Sequence, residues 1–503
     1  MQALGLLHEV TVAGWAAEDF QEAGIEGHAL QLIGSRALRL ASKLEGMAGF
    51  PNARNFRAIP IVVSRCPMDR FWTQHYEPGV PADLALEKVT VLELFERTVA
   101  NWGDRPAVSF KGKTLSYHQL EEQVNRFATA LSRLGVKRDS RVALWLPNLP
   151  QMVIAYFATL RLGAQVVNTN PLYVERELEH QFNDAGVSVV ITLDYLWWYK
   201  LRALLPKTQV KQVVVTSIPD YLPFPLNLLA PLKLKKTKQF VRVPKEAGVH
   251  FFKDLLAQSP PTPPKVEIGL EDLAVLQYTG GTTGVSKGAM LTHGNLTANV
   301  QQSASWFPSV RPGEEVLLAC LPYFHVFGMT ISMLWPVSKG GHIVLVPNPR
   351  DIPELVKSIR KYRVTIFPAV PALFVAINNF KGVDQIDLSS VRACFSGSAP
   401  LPVEVLERFE KLTGGKITEG FGMTETSPVT HANPLLGLRK PGSIGIPRAR
   451  NGCKNRGCGN EPNRAWPRPG RRTLRSRPPG HGGLLESARR NRPGPARWLD
   501  AHR

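Results

Sequence analysis

Long hydrophobic runs are missing from this chain of 503 residues, which nowhere carries eighteen consecutive apolar residues. A helix that spans a bilayer needs roughly twenty, so no segment is predicted to cross a membrane. Cysteine is also scarce, and no paired spacing relates the five cysteines, which are Cys66, Cys320, Cys394, Cys453 and Cys458. The first twenty residues contain no Lys or Arg, which argues against a signal or transit peptide. These absences predict a cytoplasmic protein.

Acidic residues are in the minority: the chain contains 41 Asp and Glu but 61 Lys and Arg, which gives a formal net charge of +20. Such a surplus is typical of nucleic-acid-binding proteins. Its distribution argues against that function, because residues 448–503 hold 15 basic and 3 acidic residues and so contribute +12 of the total. The Arg-rich tail could bind RNA non-specifically, but it lacks the interleaved aromatic residues of a specific reader. We therefore predict no specific nucleic-acid partner.

Strand-like and helix-like patterns alternate along the central part of the chain. Strands are predicted from short apolar, mostly β-branched runs at 107–110, 142–146, 165–168, 187–192, 316–320, 342–346, 364–367 and 391–396. Between some of them, apolar residues indicate helices, as at 152–162, 352–362 and 402–412. This alternation predicts an α/β fold with largely parallel sheets, and the length of the body favours two sheets over one. In such folds, ligands lie at the carboxyl ends of the strands.

The segment 278–295, YTGGTTGVSKGAMLTHGN, combines glycines, hydroxyl side chains and a lysine behind a predicted strand at 273–276. Glycine lets the backbone approach an anion closely and turn its N–H groups toward it. The hydroxyls add donors, and Lys287 adds a positive charge. A phosphate-binding loop is therefore predicted. It is not a P-loop, in which Ser or Thr directly follows the lysine, because Gly288 follows Lys287 here. A flexible Gly/Thr surface turn is the alternative interpretation.

Four segments together resemble the signatures of the AMP-forming adenylating enzymes, the family of the acyl-CoA synthetases. The first is the phosphate-loop segment, and the second is EGFGMTETSP at 419–428, similar to the family's adenine and magnesium segment. The third, SGSAPL at 396–401, is similar to its adenine-contact turn, and the fourth, PYFHVFG at 322–328, to its aromatic-histidine segment. The resemblance covers roughly residues 68–447 and is greatest to bacterial long-chain fatty acyl-CoA ligases. It implies the large N-terminal domain of that fold, with two mainly parallel βα sheets.

The resemblance also implies roles for individual residues. Those expected to bind the β- and γ-phosphates of ATP are Thr279, Gly280, Gly281, Thr282, Thr283, Gly284, Ser286 and Lys287. Those expected around the adenine and the α-phosphate are Gly397, Ser398, Ala399, Gly420, Phe421, Gly422, Met423 and Thr424. Glu425 is expected to hold Mg²⁺, which favours carboxylate oxygen. Gly420 and Gly422 would let a loop pass flat beside the adenine, with Phe421 stacked on it.

His325 lies among Tyr323, Phe324 and Phe327, a setting typical of a buried core histidine. The resemblance implies instead that it lines the path of the substrate carboxylate. The expected catalytic residues are therefore Lys287, His325, Thr424 and Glu425.

The implied function is ATP-dependent activation of a long-chain fatty acid to acyl-AMP and then to acyl-CoA, with ATP, Mg²⁺ and coenzyme A as cofactor and co-substrates. A synthetase of an aryl, short-chain or medium-chain acid shares every motif. A remnant that binds ATP and fatty acid without turning them over is the non-enzymatic alternative. A homodimer is left open.

The segment 221–245, YLPFPLNLLAPLKLKKTKQFVRVPK, interrupts the α/β pattern by joining an apolar half to a basic half. Peripheral contact with anionic lipid at the inner face of the membrane would suit an enzyme of a lipid-soluble substrate. A solvated loop with a charged face is the alternative.

The two ends of the chain fit neither the pattern nor the resemblance. Residues 1–67 are unassigned, and a start codon placed too far upstream would explain them. Residues 448–503 are rich in Arg, Pro and Gly without periodicity, which indicates disorder. Back-translating 466–494 and reading one base later permits a sequence typical of acyl-CoA ligases, so we interpret this tail as out of frame. On this interpretation the family's ribose-binding aspartate and its small C-terminal domain, with a lysine for adenylation, are missing.

Overall fold

The structure is a computed structural model that describes residues 70–236, 241–279 and 286–449. The predicted extension at 1–67, the tail from residue 450 onward and the loop residues Gly280, Gly281, Thr282, Thr283 and Gly284 lie outside the described residues.

Sixteen strands are present in the described part of the chain. In chain order they are β1 (Pro106–Phe110), β2 (Lys113–Ser116), β3 (Arg141–Trp145), β4 (Gln165–Asn168), β5 (Val189–Leu193), β6 (Gln212–Thr216), β7 (Val249–Phe251), β8 (Leu273–Thr279), β9 (Lys287–Thr292), β10 (Val316–Ala319), β11 (His342–Leu345), β12 (Ile366–Ala369), β13 (Ala393–Ser396), β14 (Lys416–Gly422), β15 (Val429–Ala432) and β16 (Ile446–Pro447). Each strand predicted from the sequence overlaps one of these.

The strands form two sheets. The seven-stranded sheet has the order β7-β6-β5-β3-β4-β8-β9, and the nine-stranded sheet has the order β16-β15-β14-β13-β12-β10-β11-β1-β2. Neighbours are parallel except at the ends, where β8 pairs antiparallel with β9, β1 with β2, β14 with β15 and β15 with β16. The prediction of an α/β fold with two mainly parallel sheets is confirmed. Both antiparallel pairs that contain a motif predicted from the sequence, β8–β9 and β14–β15, occur toward sheet edges, where strands can end in exposed loops.

Ten helices of seven residues or more lie between the strands in the described ranges. They are α1 (Val91–Trp102), α2 (Tyr117–Arg133), α3 (Pro150–Arg161), α4 (Glu175–Ala185), α5 (Leu226–Lys236), α6 (Phe252–Gln258), α7 (His293–Ser305), α8 (Ile352–Tyr362), α9 (Pro371–Asn378) and α10 (Val403–Thr413). Shorter helical turns occur at Phe71–His75, Asp194–Leu196, Trp197–Leu201, Arg202–Leu204, Leu205–Lys207, Ile218–Tyr221, Val326–Met329, Thr330–Leu334, Trp335–Ser338, Val383–Gln385 and Thr424–Thr426. None of the described helices is both long and apolar enough to cross a bilayer.

Local sequence explains where the helices begin. Helix α1 starts after Thr90, whose side chain accepts from the Glu93 N–H, while the Glu93 carboxylate accepts from the Thr90 N–H. Helix α8 starts after Asp351, whose carboxylate accepts from the Glu354 N–H. Such caps satisfy the N–H groups that have no partner inside the helix.

The central strands of the nine-stranded sheet, β10 to β13, are buried on both faces because their side chains alternate between two apolar clusters. On β10, Leu317 belongs to one cluster and Leu318 to the other. The second cluster fills the space under helices α8, α9 and α10, where Phe374 meets Phe409 edge to face with ring centroids 4.9 Å apart. Side chains on a strand point alternately to opposite faces, so each parallel strand here must be apolar along its whole length. This packing fixes the strand ends that carry the motifs.

Two predictions about local structure are wrong. Residues 226–236 are not a solvated loop but helix α5, in which Leu and Lys, both good helix formers, outweigh Pro231. Gly420, Phe421 and Gly422 are not in a loop either, because they form the last residues of β14 and pair with β15. An antiparallel partner strand tolerates glycine here, since the backbone of β15 lies close to it.

Candidate active site

The predicted phosphate loop closes a β-hairpin. Strand β8 ends at Thr279 directly opposite Lys287, the first residue of β9. The loop between them contains the glycines that lie outside the described residues. At its base, the Ser286 hydroxyl donates to the Thr279 carbonyl at 2.7 Å, and the Thr279 hydroxyl donates to the Lys287 carbonyl at 3.4 Å. The Ser286 hydroxyl proton is therefore already engaged in a hydrogen bond within the hairpin. The Lys287 side chain, by contrast, is exposed where the loop ends.

Helix α4 anchors this hairpin from the side. The His180 Nε2–H donates to the Ser286 carbonyl at 2.9 Å, which requires the proton to be on Nε2. One turn along the helix, Asp184 accepts a hydrogen bond of 2.5 Å from the Tyr278 hydroxyl. Burial, together with this bond to a carboxylate, raises the pKa of Tyr278 well above its ordinary value. Sequence reasoning missed these three residues, and their only signal was the spacing of His180 and Asp184 on one face of a helix.

The adenine and magnesium segment is a second hairpin, formed by β14 and β15. Phe421 lies opposite His431, and a register shift follows at Gly422. The connecting turn Thr424–Thr426 is braced by the Thr426 hydroxyl, which accepts from the Met423 N–H at 3.1 Å. Ser427 follows in the left-handed region, with φ of 71°. Phe421 is 41% exposed, and its ring meets that of His431 at an angle of 61°, so the ring is accessible from solvent.

The two hairpins meet. Strand β9, which begins at Lys287, lies against the turn Thr424–Thr426. Glu425 in that turn is exposed, and no hydrogen bond or ion pair joins its carboxylate to another residue of the described ranges. A carboxylate free at this position fits Mg²⁺, which takes one or two protein oxygens and completes its octahedron with phosphates and waters. The described residues contain no cluster of three or more His, Cys, Asp or Glu that would hold a metal without such help.

Gly397 brings three of the predicted motifs into contact. A Cβ atom placed on this residue would lie 3.2 Å from the Phe327 ring and 3.5 Å from the Gly420 carbonyl. The adenine-contact turn therefore packs against both the aromatic-histidine segment and the end of β14, and it does so through the smallest residue. Ser398 and Ala399 follow at the surface, with Ser398 at φ of 71°. Side chains larger than hydrogen at Gly397 would push the three segments apart.

His325 is not a core residue, so the interpretation from its neighbours alone is wrong. Its side chain is exposed, and none of the described residues hydrogen-bonds to its ring nitrogens. The ring lies 4.6 Å, centroid to centroid, from that of Phe324, and partial desolvation lowers the pKa of the imidazole below its ordinary value. An exposed imidazole without a hydrogen-bond partner among the described residues can donate or accept a hydrogen bond.

A buried amide network ties the phosphate-loop strand to the segment that carries His325. Gln277, two residues before Thr279, donates to the Phe324 carbonyl and accepts from the Asn168 amide at 2.9 Å. The same amide of Asn168 is 3.2 Å from the Met329 sulfur, at the end of the helical turn that begins after His325. Sequence reasoning missed this network, because single polar residues inside apolar strands carry no pattern.

Comparison with protein families places these motifs in a known group. A family model described as AMP-binding enzyme matches residues 95–457 of the chain. This match spans both sheets and all four predicted signatures.

Individual proteins agree with the family match. The chain is 44% identical over 381 residues to the long-chain-fatty-acid–CoA ligase of Bacillus subtilis, covering 75% of this chain and 67% of that protein. It is 40% identical over 384 residues to the enzyme of the same name from Escherichia coli O157:H7, covering 76% and 68%. Among solved structures, an anthranilate CoA ligase in complex with anthranoyl-AMP superimposes with a TM-score of 0.63 at 25% identity, covering 73% and 65%. The chain thus spans about two thirds of the length of each.

Proposed function

The chain belongs to the AMP-binding enzyme family, as its motifs predicted, and from that premise we propose that it is an ATP-dependent fatty acid–CoA ligase. The substrate we propose is a long-chain fatty acid, because relatives that are 40% or more identical over the aligned region carry that name. The reaction class is acid–thiol ligation with release of AMP.

One observation supports the adenylation chemistry above the others. The β8–β9 hairpin lies against the turn with Glu425, and the Gly397 turn packs on the end of β14 that leads into that turn. Motifs that are far apart in sequence would not meet in this way if each were an ordinary surface turn. The alternative that the segment 278–295 has no role beyond that of a surface turn is correspondingly disfavoured.

The roles we propose follow from charge. A carboxylate and a triphosphate repel one another, so the site must supply fixed positive charge and hydrogen-bond donors where negative charge accumulates. Lys287 would neutralise the β- and γ-phosphates, and the Thr424 hydroxyl would donate to the α-phosphate. His325 would orient the fatty acid carboxylate. Glu425 would hold Mg²⁺, which when bound neutralises phosphate charge and so favours departure of pyrophosphate.

The bonds exchanged in the first half-reaction are simple. A carboxylate oxygen of the fatty acid forms a bond to the α-phosphorus, and the bond from that phosphorus to the bridging oxygen of the β-phosphate breaks. Pyrophosphate leaves with the electron pair, and acyl-AMP remains. In the second half-reaction the CoA sulfur attacks the acyl carbonyl and AMP leaves. Phe421 would hold the adenine throughout, by stacking with its exposed face.

We propose further that this chain is largely limited to the first half-reaction. The ribose-binding aspartate, the adenylation lysine and the path for the CoA thiol are expected in the part of the family's proteins that the resemblance does not reach here. Loss of one fixed cation at a transition state costs on the order of a hundredfold in rate. Adenylation by this chain is therefore expected to be slow, and transfer to CoA slower still.

Two other functions compete. The solved anthranilate CoA ligase has the same fold, so an aryl acid or a shorter fatty acid is the first alternative substrate. A remnant that binds ATP and fatty acid without catalysis is the second. A homodimer, a cytoplasmic location and a peripheral membrane contact through 221–245 stay predictions.

Exchange of labelled pyrophosphate into ATP tests the proposal and separates the alternatives. We expect slow exchange that depends on palmitate, weaker exchange with octanoate, and none with benzoate or 4-coumarate. Exchange with an aryl acid alone would identify the first alternative. Absence of exchange, with ATP binding retained, would identify the second. Acyl-CoA formation at the rate of a full-length homologue would contradict the limit to the first half-reaction.

A further inference from the structure

Helix α5 and the turn before it expose apolar side chains in an unusual concentration. Within nine residues, five large apolar side chains are between 47% and 78% exposed, namely Phe224, Leu226, Leu228, Leu229 and Leu232. We name these five residues the leucine patch. Single exposed apolar residues are normal in a soluble protein, whereas a continuous exposed cluster marks a surface for a partner or a lipid phase.

The geometry of α5 gives this surface a direction. Residues seven apart lie on the same face of a helix, so Leu228 shares its face with Lys235, and Leu229 shares its face with Lys236. The exposed face therefore changes from leucine to lysine toward the helix end. Another face carries Pro231 and Leu234, which line a cavity of about 450 Å³ against the rest of the protein. One face of the helix is thus apolar at its start and basic at its end.

Charge within the segment has one sign. Residues 221–245 contain no Asp or Glu, and six basic residues follow the leucine patch, namely Lys233, Lys235, Lys236, Lys238, Arg242 and Lys245. Lys236, Arg242 and Lys245 are not buried. The first acidic residue after the segment, Glu246, is paired with Arg202 at 2.5 Å and so does not neutralise it. The segment thus attracts an anionic surface.

We propose that the leucine patch docks this protein on an anionic phospholipid bilayer. The leucines enter the boundary between headgroups and acyl chains, and the basic residues at the helix end contact lipid phosphates. A lysine can reach the headgroups while its methylene stem stays among the leucines. A second copy of the chain is a poorer occupant, because the basic residues next to the leucine patch of each copy would lie close together and repel one another. The proposal rests on the proposed function for its purpose, since a long-chain fatty acid partitions into bilayers.

Flotation of the full chain with vesicles tests the proposal without ATP, CoA or fatty acid, so its failure is distinct from failure of the ligase function. We expect binding to vesicles with one third phosphatidylglycerol, weaker binding to phosphatidylcholine alone, and loss of binding at high salt. The triple variant Leu228→Gln, Leu229→Gln, Leu232→Gln should bind roughly tenfold more weakly or worse. Glutamine keeps a good helix propensity, and an unchanged melting temperature will show that the variant folds.

Two further variants complete the design. Lys236→Gln with Arg242→Gln should weaken binding by roughly fivefold for each charge, and only to the anionic vesicles. The matched control is Leu436→Gln with Leu438→Gln, which removes two leucines that are 64% and 75% exposed outside the patch. Binding that this control weakens as much as the triple variant does would overturn the proposal. So would an absence of vesicle binding, or a dimer that the triple variant dissociates, which would assign the patch to a second copy.

Discussion

The side chain of Asn299 forms hydrogen bonds with both the carbonyl and the N–H group of Val429. Its amide nitrogen donates to the Val429 carbonyl at 2.8 Å, and its amide oxygen accepts from the Val429 N–H at 3.3 Å. Asn299 is fully buried on helix α7, the helix that directly follows β9, and Val429 begins β15 just after the turn with Glu425. A single side chain therefore joins helix α7, which follows the β8–β9 hairpin, to the strand that follows the turn with Glu425.

Replacement of Asn299 should damage both stability and adenylation. Asn299→Ala removes two buried hydrogen bonds, which we expect to lower the free energy of unfolding by about 2 kcal/mol. Because the turn is then free to shift from β9, pyrophosphate exchange should fall further than stability alone explains. The control is Gln302→Ala on the same helix, since Gln302 bonds the Ala449 carbonyl at 3.3 Å, away from the turn. Equal exchange rates in the two variants, measured where both are folded, would contradict the role of Asn299.

The exposed charges of Lys287 and Glu425 should have separate effects. Lys287→Ala removes the exposed cation opposite Thr279 and should raise the ATP concentration needed for exchange, with a loss of rate on the order of a hundredfold.

Glu425→Gln keeps the volume of the side chain but removes its charge, so the magnesium concentration for half-maximal exchange should rise. Both should melt at the parental temperature, because both side chains are exposed. Glu407→Gln, an exposed site on α10, is the control, and parental behaviour of all three variants would refute the site assignment.

Sequence predicted the parts of the site that carry a pattern and missed the parts that connect them. The strand before the phosphate loop follows from local sequence, whereas the order of the motifs and the stacking role of Phe421 follow from the family resemblance. Tyr278, Asp184 and Asn299 do not, because each acts through long-range hydrogen bonds that leave no periodic signal. The interpretation of His325 as a core histidine, drawn from its aromatic neighbours alone, is wrong because adjacent residues in a turn can differ in burial, whereas its implied place on the path of the substrate carboxylate stays a prediction. Helix α5 was mistaken for a loop, because its leucines lie on no single buried face.

Acid should destabilise the fold through His293. This residue is buried, and its Nδ1 accepts a hydrogen bond of 3.3 Å from the Val91 N–H, which a proton on Nδ1 would abolish. Burial lowers its pKa to about 4, so the folded state resists protonation more than the unfolded chain does. The contribution of neutral His293 to the free energy of unfolding is therefore fully present above the ordinary pKa of about 6.5. It is lost as pH falls toward 4, and the loss is roughly 2 kcal/mol at pH 5.

The variant His293→Asn isolates this contribution, because the asparagine oxygen can accept from Val91 but does not titrate. Urea unfolding at neutral pH and at about pH 5 should show a loss of stability for the parent that exceeds the loss for the variant by roughly 2 kcal/mol. His342 is a partly buried histidine whose pKa is lowered to about 4 by desolvation, so some acid sensitivity will remain in the variant. Identical losses in parent and variant would show that His293 does not titrate in this range.

Arg448 is a buried cation without a counter-charge among the described residues. It is 6% exposed, its Nε and Nη2 atoms have no hydrogen-bond partner within those residues, and burial lowers its pKa to about 9. Its main chain is well placed, since the Arg448 N–H continues the pairing along β15 by donating to the Thr430 carbonyl at 3.1 Å. The backbone of Arg448 is therefore satisfied by the neighbouring strand, whereas its buried guanidinium is not satisfied by the residues around it. A buried guanidinium that lacks partners costs about 1–3 kcal/mol or more relative to an apolar side chain.

This mismatch bears on the proposal that the reading frame changes near residue 448, because a residue read out of frame has not been selected for its site. Arg448→Leu should raise the free energy of unfolding by about 1–3 kcal/mol, whereas Arg439→Leu, which removes a cation paired with Glu410, should lower it. Urea unfolding of the full chain measures both. Resequencing the gene between the codons for Ile446 and Trp466 should then reveal a small insertion or deletion. Downstream of it we expect the frame that back-translation of residues 466–494 permits, which encodes the ligase-like sequence GELFVRGPQV. A fall in stability for Arg448→Leu would mean that this arginine has a partner and belongs where it is, and an unbroken frame would show that the tail is genuine.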